Sequence, residues 1–166
     1  LKAPFAMNDI WTSWCELRAW QIANGLSEIY EDLELRKYLK PEAIWEIERG
    51  LSLSGQDIYK SALKKSKWYN SALELFEKFD LLVLPSTQVW PFDHAKIYPN
   101  SINSQKMDTY HRWMQVTIPA GLLGLPVVNI PIGFGKNGLP AGLQLIGSKG
   151  SDGRILSIAQ AWHEHT

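Results

Sequence analysis

The segment Leu125–Gly147, LPVVNIPIGFGKNGLPAGLQLIG, restricts what this chain can fold into more than any other. Val127 to Ile132 is apolar and rich in β-branched residues, and Leu143 to Ile146 is a second apolar run. Between them stands Gly135-Lys136-Asn137-Gly138, a turn signal in which Asn-Gly accommodates positive φ at both central positions. The pattern predicts a β-hairpin. Pro126, Pro131 and Pro140 have no N–H for a ladder and are expected at strand starts and ends. Gly133 and Gly142 leave room for close approach by a neighbouring backbone or a ligand. A hairpin alone leaves open edges that favour self-association, so a homo-oligomer is one expectation.

The rest of the chain supplies an α/β setting: a mainly helical stretch over 1–79, then a few strands of a mixed sheet, a long loop and further helices over 80–166. Ile10, Trp14 and Leu17 share one helical face, and Asn24-Gly25 offers a left-handed stop. A second helix is expected over Ser27–Leu39, ended by Lys40-Pro41. Pro41 can open a third, with Ile44 and Ile47 inward and Gly50 at its end. Ser54 and Asp57 have capping-box spacing before a long helix whose apolar stripe is Ile58, Ala62, Tyr69, Leu73 and Phe76. Lys60, Lys64, Lys65 and Lys67 lie largely outside that stripe and read as a solvated face rather than an anion site.

The character changes at Asp80. Leu81–Pro85 is a short apolar run suited to a strand buried on both faces. Ser86–Gln105 has no period, yet its Trp90, Phe92, Ile97 and Tyr98 argue against disorder. Met107–Ile118 is expected to be a helix stopped by Pro119, and Ile155–Trp162 a short amphipathic helix.

Charge and cysteine content exclude several functions. Lys plus Arg and Asp plus Glu number 17 each, so no broad nucleic-acid or membrane footprint is expected. Cys15 is the one cysteine, which rules out an internal disulfide and reads as a small buried hydrophobe. No apolar run reaches membrane-spanning length and no signal peptide is visible, making a cytoplasmic location the default expectation. His111 lacks an accompanying Gly-x-Ser-x-Gly elbow or carboxylate pair and is expected to be structural. His94, beside Asp93 in the long loop, has no role tied to it. His163 and His165 point apart on a helix, so no metal site is expected there.

Taken in order, the motifs say more. DLLVLPST (Asp80–Thr87), a Pro-rich loop, MDTYHRWM (Met107–Met114), IPAGLLGLPVVNIPIGF and GLPAGLQLIG follow one another. This succession resembles the amidase-signature family, and the stretch Gly50…Ser54…Asp57-Ile58-Tyr59…Ala62 is similar to the helical insert before its Pro-Ser/Thr strand. The resemblance covers most of Tyr38–Trp162. It implies an enzyme that hydrolyses carboxamides through an acyl-enzyme formed by a Ser–cis-Ser–Lys triad, with no metal or organic cofactor.

In that family the triad and oxyanion loop lie upstream of the region matched here, and this chain has no Gly-Gly-Ser-Ser run. No catalytic residue is assigned. Residues 1–166, which open without Met, are therefore expected to be the C-terminal part of such an enzyme, inactive alone and completed by the missing N-terminal part. The resemblance places the loop after the Pro-Ser/Thr strand and the next helix near the mouth of the substrate cleft. Thr87, Trp90, Phe92, Tyr110 and Trp113 become the pocket candidates, suited to an apolar or aryl acyl group. Two alternatives stand beside this: a glutamyl-tRNA amidotransferase A-type subunit, and a non-catalytic binding or assembly module with the same fold.

Overall fold

A computed structural model of the chain describes residues 3–166. The chain divides into two compact units, Leu1–Tyr69 and Asn70–Thr166.

The first unit is helical, with α1 (Met7–Gly25), α2 (Ser27–Glu31), α3 (Leu33–Arg36), α4 (Pro41–Leu51) and the start of α5 (Gly55–Phe76). Its core is built where α1 meets α4. A Cβ on Gly50 would overlap the Ala19 carbonyl oxygen and come within 2.6 Å of the Ala23 Cβ, so the two backbones pack at glycine distance. Ile10, Cys15, Ala19, Ala23 and Ile47 are all buried there. Glu46, also buried, receives the Arg18 Nε–H at 3.0 Å, and the Arg18 guanidinium lies over the Trp14 ring.

Several local expectations shift by a few residues for identifiable reasons. The Ser27–Leu39 helix is broken at Asp32, which adopts extended geometry and accepts the Glu34 and Leu35 N–H groups at 2.8 and 3.1 Å, capping α3. Helix α1 ends at Gly25 without a left-handed residue. The capping box forms as expected: Ser54 Oγ accepts the Asp57 N–H at 3.2 Å, and Asp57 Oδ2 accepts the Ser54 N–H at 3.0 Å. The Ser54 hydroxyl, donating to Asp57 Oδ2 at 2.6 Å, and then the Ser54 N–H hold the Asp57 carboxyl below the usual carboxylate range. The buried face of α5, however, runs through Ser61, Trp68 and Ala72, while Ala62, Tyr69 and Leu73 are exposed. Ser61 is drawn inward by polar partners: its hydroxyl binds Glu16 and its carbonyl accepts the Ser13 hydroxyl.

The second unit carries a three-stranded antiparallel sheet in the order β1-β5-β4, formed by β1 (Leu82–Pro85), β4 (Val127–Phe134) and β5 (Pro140–Ile146). Ile146 faces Leu82 on one side and Val127 on the other; Gln144 likewise faces Leu84 and Asn129. Helix α7 (Asp152–His165) follows, with Ile155 buried and the Trp162 Nε1–H donating to the Pro131 carbonyl at 3.1 Å. This helical half followed by a small sheet with helices is the α/β arrangement expected from the sequence. The ladders within the described residues are antiparallel.

The β4–β5 hairpin forms, but its turn differs in detail. The Gly138 N–H donates to the Gly135 carbonyl at 2.9 Å and the Gly135 N–H to the Leu139 carbonyl at 2.8 Å. Gly138 alone of the central residues is left-handed, with φ 72°. That is a type I turn closed by a left-handed glycine, the three-residue hairpin solution rather than the two-residue one. Pro131 sits inside β4 rather than at its end. The register slips between Pro131 and Gly133, and this bulge removes the need for a proline donor.

Between β1 and β4 the long loop has structure of its own: β2 (Ser101–Ile102) and β3 (Gln105–Lys106) form a minimal hairpin. Its two loop residues, Asn103 and Ser104, have φ values of 47° and 63°, the primed turn geometry. The segment expected to be one helix over Met107–Ile118 is a 3-10 helix at Arg112–Thr117 running into α6 (Ile118–Gly121). Pro119 opens α6 instead of ending a helix, because its missing N–H falls in the first turn where no partner is needed.

Candidate functional site

The candidate site lies where the chain leaves β1 and passes the β4–β5 hairpin. Here Pro85, Thr87, Trp90, Ile132, Pro140 and Leu143 line a concavity of about 260 Å3. Sequence patterning explains the lining. Ile132 falls at the β4 bulge, where a side chain loses its regular alternation and is re-aimed. Pro85 and Pro140 stand at a strand end and a strand start.

A polar frame fixes this wall. Gln144, only 3% exposed in the middle of β5, donates from Nε2 to the carbonyls of Pro85 at 2.8 Å and Val116 at 3.1 Å. The Val116 N–H is taken by Gln88 Oε1 at 2.9 Å. One peptide group on each side of Val116 is thus held by a glutamine side chain, one from β5 and one from the loop after β1. Ser86 adds a third tie: its N–H donates to the Gly142 carbonyl at 2.9 Å and its hydroxyl to Asn129 Oδ1 at 3.0 Å. A Cβ on Gly142 would lie 2.8 Å from Ser86 Oγ, so this glycine does permit a close approach.

The five candidates fall into three places. Thr87 and Trp90 line the concavity, and Thr87 Oγ1 also accepts the Val89 N–H at 3.3 Å, shaping the loop. Phe92 and Trp113 pack edge to face with centroids 5.6 Å apart. Tyr110 contacts Tyr98 at 6.4 Å and stacks on His111 at 4.5 Å. Phe92, Tyr110 and Trp113 lie outside the residues lining the concavity. His111 is buried with Nδ1 2.7 Å from Thr109 Oγ1, while His94 is fully exposed. At the start of the 3-10 helix, Arg112 binds both oxygens of Asp108 at 2.8 and 2.6 Å and holds that carboxyl below its ordinary value.

Sequence reading gives no site role to Gln88, Ser86 or Asn129, names Gly135 only as part of the hairpin turn, and reaches Gln144 only as a motif position. A signal exists for Gln144, a polar residue within the apolar run Leu143–Ile146. Among the described residues no cluster of three or more metal-ligating side chains occurs, and no helix is long and apolar enough to cross a membrane.

The succession of a Pro-Ser strand end, a tied loop and a glutamine-anchored hairpin has counterparts. The family model described as Amidase matches residues 7–156. The chain belongs to the amidase-signature family. Fatty acid amide hydrolase of Medicago truncatula is 38% identical over 91 residues, which are 54% of this chain and 14% of that protein. The A-type subunit of glutamyl-tRNA(Gln) amidotransferase from Dehalococcoides mccartyi (strain ATCC BAA-2266 / KCTC 15142 / 195) is 38% identical over 109 residues, 61% of this chain and 20% of that protein. Among solved structures, an amidase superposes with a TM-score of 0.82 at 20% identity over 96% of this chain and 36% of its own. A bacterial aryl acylamidase of the amidase-signature family gives 0.74 at 22% identity, over 91% and 32%. These two likenesses confirm the fold. The matched stretches amount to between 14% and 20% of the curated relatives' lengths.

Proposed function

We propose that this amidase-signature chain is the C-terminal part of an amidohydrolase and forms one wall of its substrate cleft. The nucleophile and base belong to the upstream part. In the intact enzyme a serine would attack a carboxamide carbonyl, expel the amine and leave an acyl-enzyme for water to hydrolyse. No metal or organic cofactor is needed for that sequence. The observation that carries this reading is the concavity lined by Thr87 and Trp90 beside the glutamine-tied loop. Its apolar lining suits an apolar or aryl substituent of the amide.

The chain itself is proposed to be inactive, because it has no Gly-Gly-Ser-Ser run. The test is turnover of simple carboxamides by the purified chain, with and without a serine-directed reagent. No turnover is expected; hydrolysis abolished by the reagent would overturn the assignment.

A second reading, part of a glutamyl-tRNA amidotransferase A-type subunit, is favoured by the identity of 38% over 109 residues. Copurification with other amidotransferase subunits would favour it over a free-standing amidase. A third, a non-catalytic assembly module, requires that the chain be made by itself. A cytoplasmic location, the absence of nucleic-acid partners and a homo-oligomeric state remain parts of the proposal.

A further inference from the structure

Trp90 is 53% exposed, yet one edge of its ring is seated. A Cβ on Gly135 would lie 2.7 Å from Cζ3 and 2.8 Å from Cη2 of that ring. Gly135 belongs to the hairpin turn and Trp90 to the loop after β1. The turn itself does not require glycine at 135. Gly135 is not among the left-handed residues, and both its backbone hydrogen bonds would survive a side chain. The two tightest overlaps of a Cβ there are with the ring, while the third, with the Asn137 side chain of the turn, is looser at 3.0 Å.

We propose that Gly135 is a positioning residue that seats Trp90 as a wall of the concavity, which then takes a flat aryl group of an amide substrate. With its edge held on the hairpin, Trp90 shares the lining of the concavity with Pro85, Pro140 and Leu143. A planar group can stack there at low ordering cost. A side chain at 135 would drive the ring outward by about 1 Å, the difference between the overlap and an ordinary carbon contact. This rests on the reading of the concavity as a substrate pocket.

The experiment uses the chain labelled with tryptophan fluorinated at Cε3, next to the contacting Cζ3 but not itself a contact atom, and observed by fluorine NMR. Trp90→Phe assigns the Trp90 resonance, and acetanilide is the titrated probe. In the wild type acetanilide should move the Trp90 resonance. In Gly135→Ala that resonance should be displaced while the other tryptophans stay in place, and acetanilide should bind roughly two- to tenfold more weakly, the range for one aromatic contact. In a Trp90→Phe background Gly135→Ala should have a much smaller effect, because the smaller ring leaves room for the methyl group and only the looser Asn137 contact remains.

A wild-type chain whose Trp90 ignores acetanilide would refute the pocket reading and this inference together. Normal binding by the wild type, with Gly135→Ala leaving either Trp90 or the affinity unchanged, would refute the inference alone. Should Gly135→Ala fail to fold, the double variant must fold; its failure would show that the overlap with Trp90 is not why glycine stands there.

Discussion

Replacing Gln144 by methionine tests the polar frame most sharply. The two side chains are close in volume, so packing against β1 and β4 is kept while the amide donor is lost. Gln144 is 3% exposed and donates to two carbonyls, those of Pro85 and Val116. Each net hydrogen bond is worth about 1 kcal/mol, and a carbonyl left wholly dry would cost more. Pro85 is exposed and Val116 half-buried, so water can reach both acceptors and the lower figure applies. The expected loss is about 2 kcal/mol, or a fall in Tm of about 4–8 °C for a chain of this size. Urea denaturation followed by tryptophan fluorescence and circular dichroism would measure it. Gln144→Glu should be worse at neutral pH, where a carboxylate faces two carbonyl oxygens, and should recover in acid as the carboxyl becomes able to donate. A Gln144→Met midpoint equal to that of the wild type would refute the claim that this side chain ties the strand to the loop.

Three further outcomes follow from the geometry. Gly50→Ala should destabilise by about 1–3 kcal/mol in urea titrations, because its methyl group meets the Ala19 carbonyl; an ordinary helix position would instead gain up to about 1 kcal/mol from that change. Ser54→Ala should cost about 1 kcal/mol of cap energy. It should also flatten the acid limb of the stability profile. The Asp57 carboxyl is held low by Ser54, so its contribution is present above the ordinary value of 3.8 and is lost as pH falls through the lowered one. Arg154→Ala removes the 2.5 Å pair with Asp80, whose side chains are 63% and 71% exposed; the midpoint should move by less than about 0.5 kcal/mol.

The parts of this molecule readable from sequence are those where a local signal and tertiary packing agree. The hairpin over Val127–Ile146 is legible because turn residues and two apolar runs reinforce one another. The Ser54–Asp57 cap is legible because both partners lie within one turn. The α5 face departs from its apolar stripe because Ser61 is buried through its polar partners on α1, which no hydrophobic period records. The β2–β3 hairpin is hidden because Asn103-Ser104 is a weaker turn signal than Asn-Gly. Pro119 reads as a stop although a proline can equally open a helix.

At the site, patterning and family likeness reach Thr87 and Trp90. They do not show that Phe92 and Trp113 pair with each other, or that Gly135 lies against Trp90. Those contacts join loop residues to elements distant in sequence, and ring packing leaves no local trace.

The central claim, that this chain is a cleft wall whose chemistry lies upstream, is tested most directly on the polypeptide as its source cells make it. The measurement is intact-mass spectrometry of that polypeptide, with the serine-directed label mapped on it. The account predicts a product longer than 166 residues, labelled at a serine outside this sequence. A free-standing 166-residue product, or a label on a serine within it, would contradict the account.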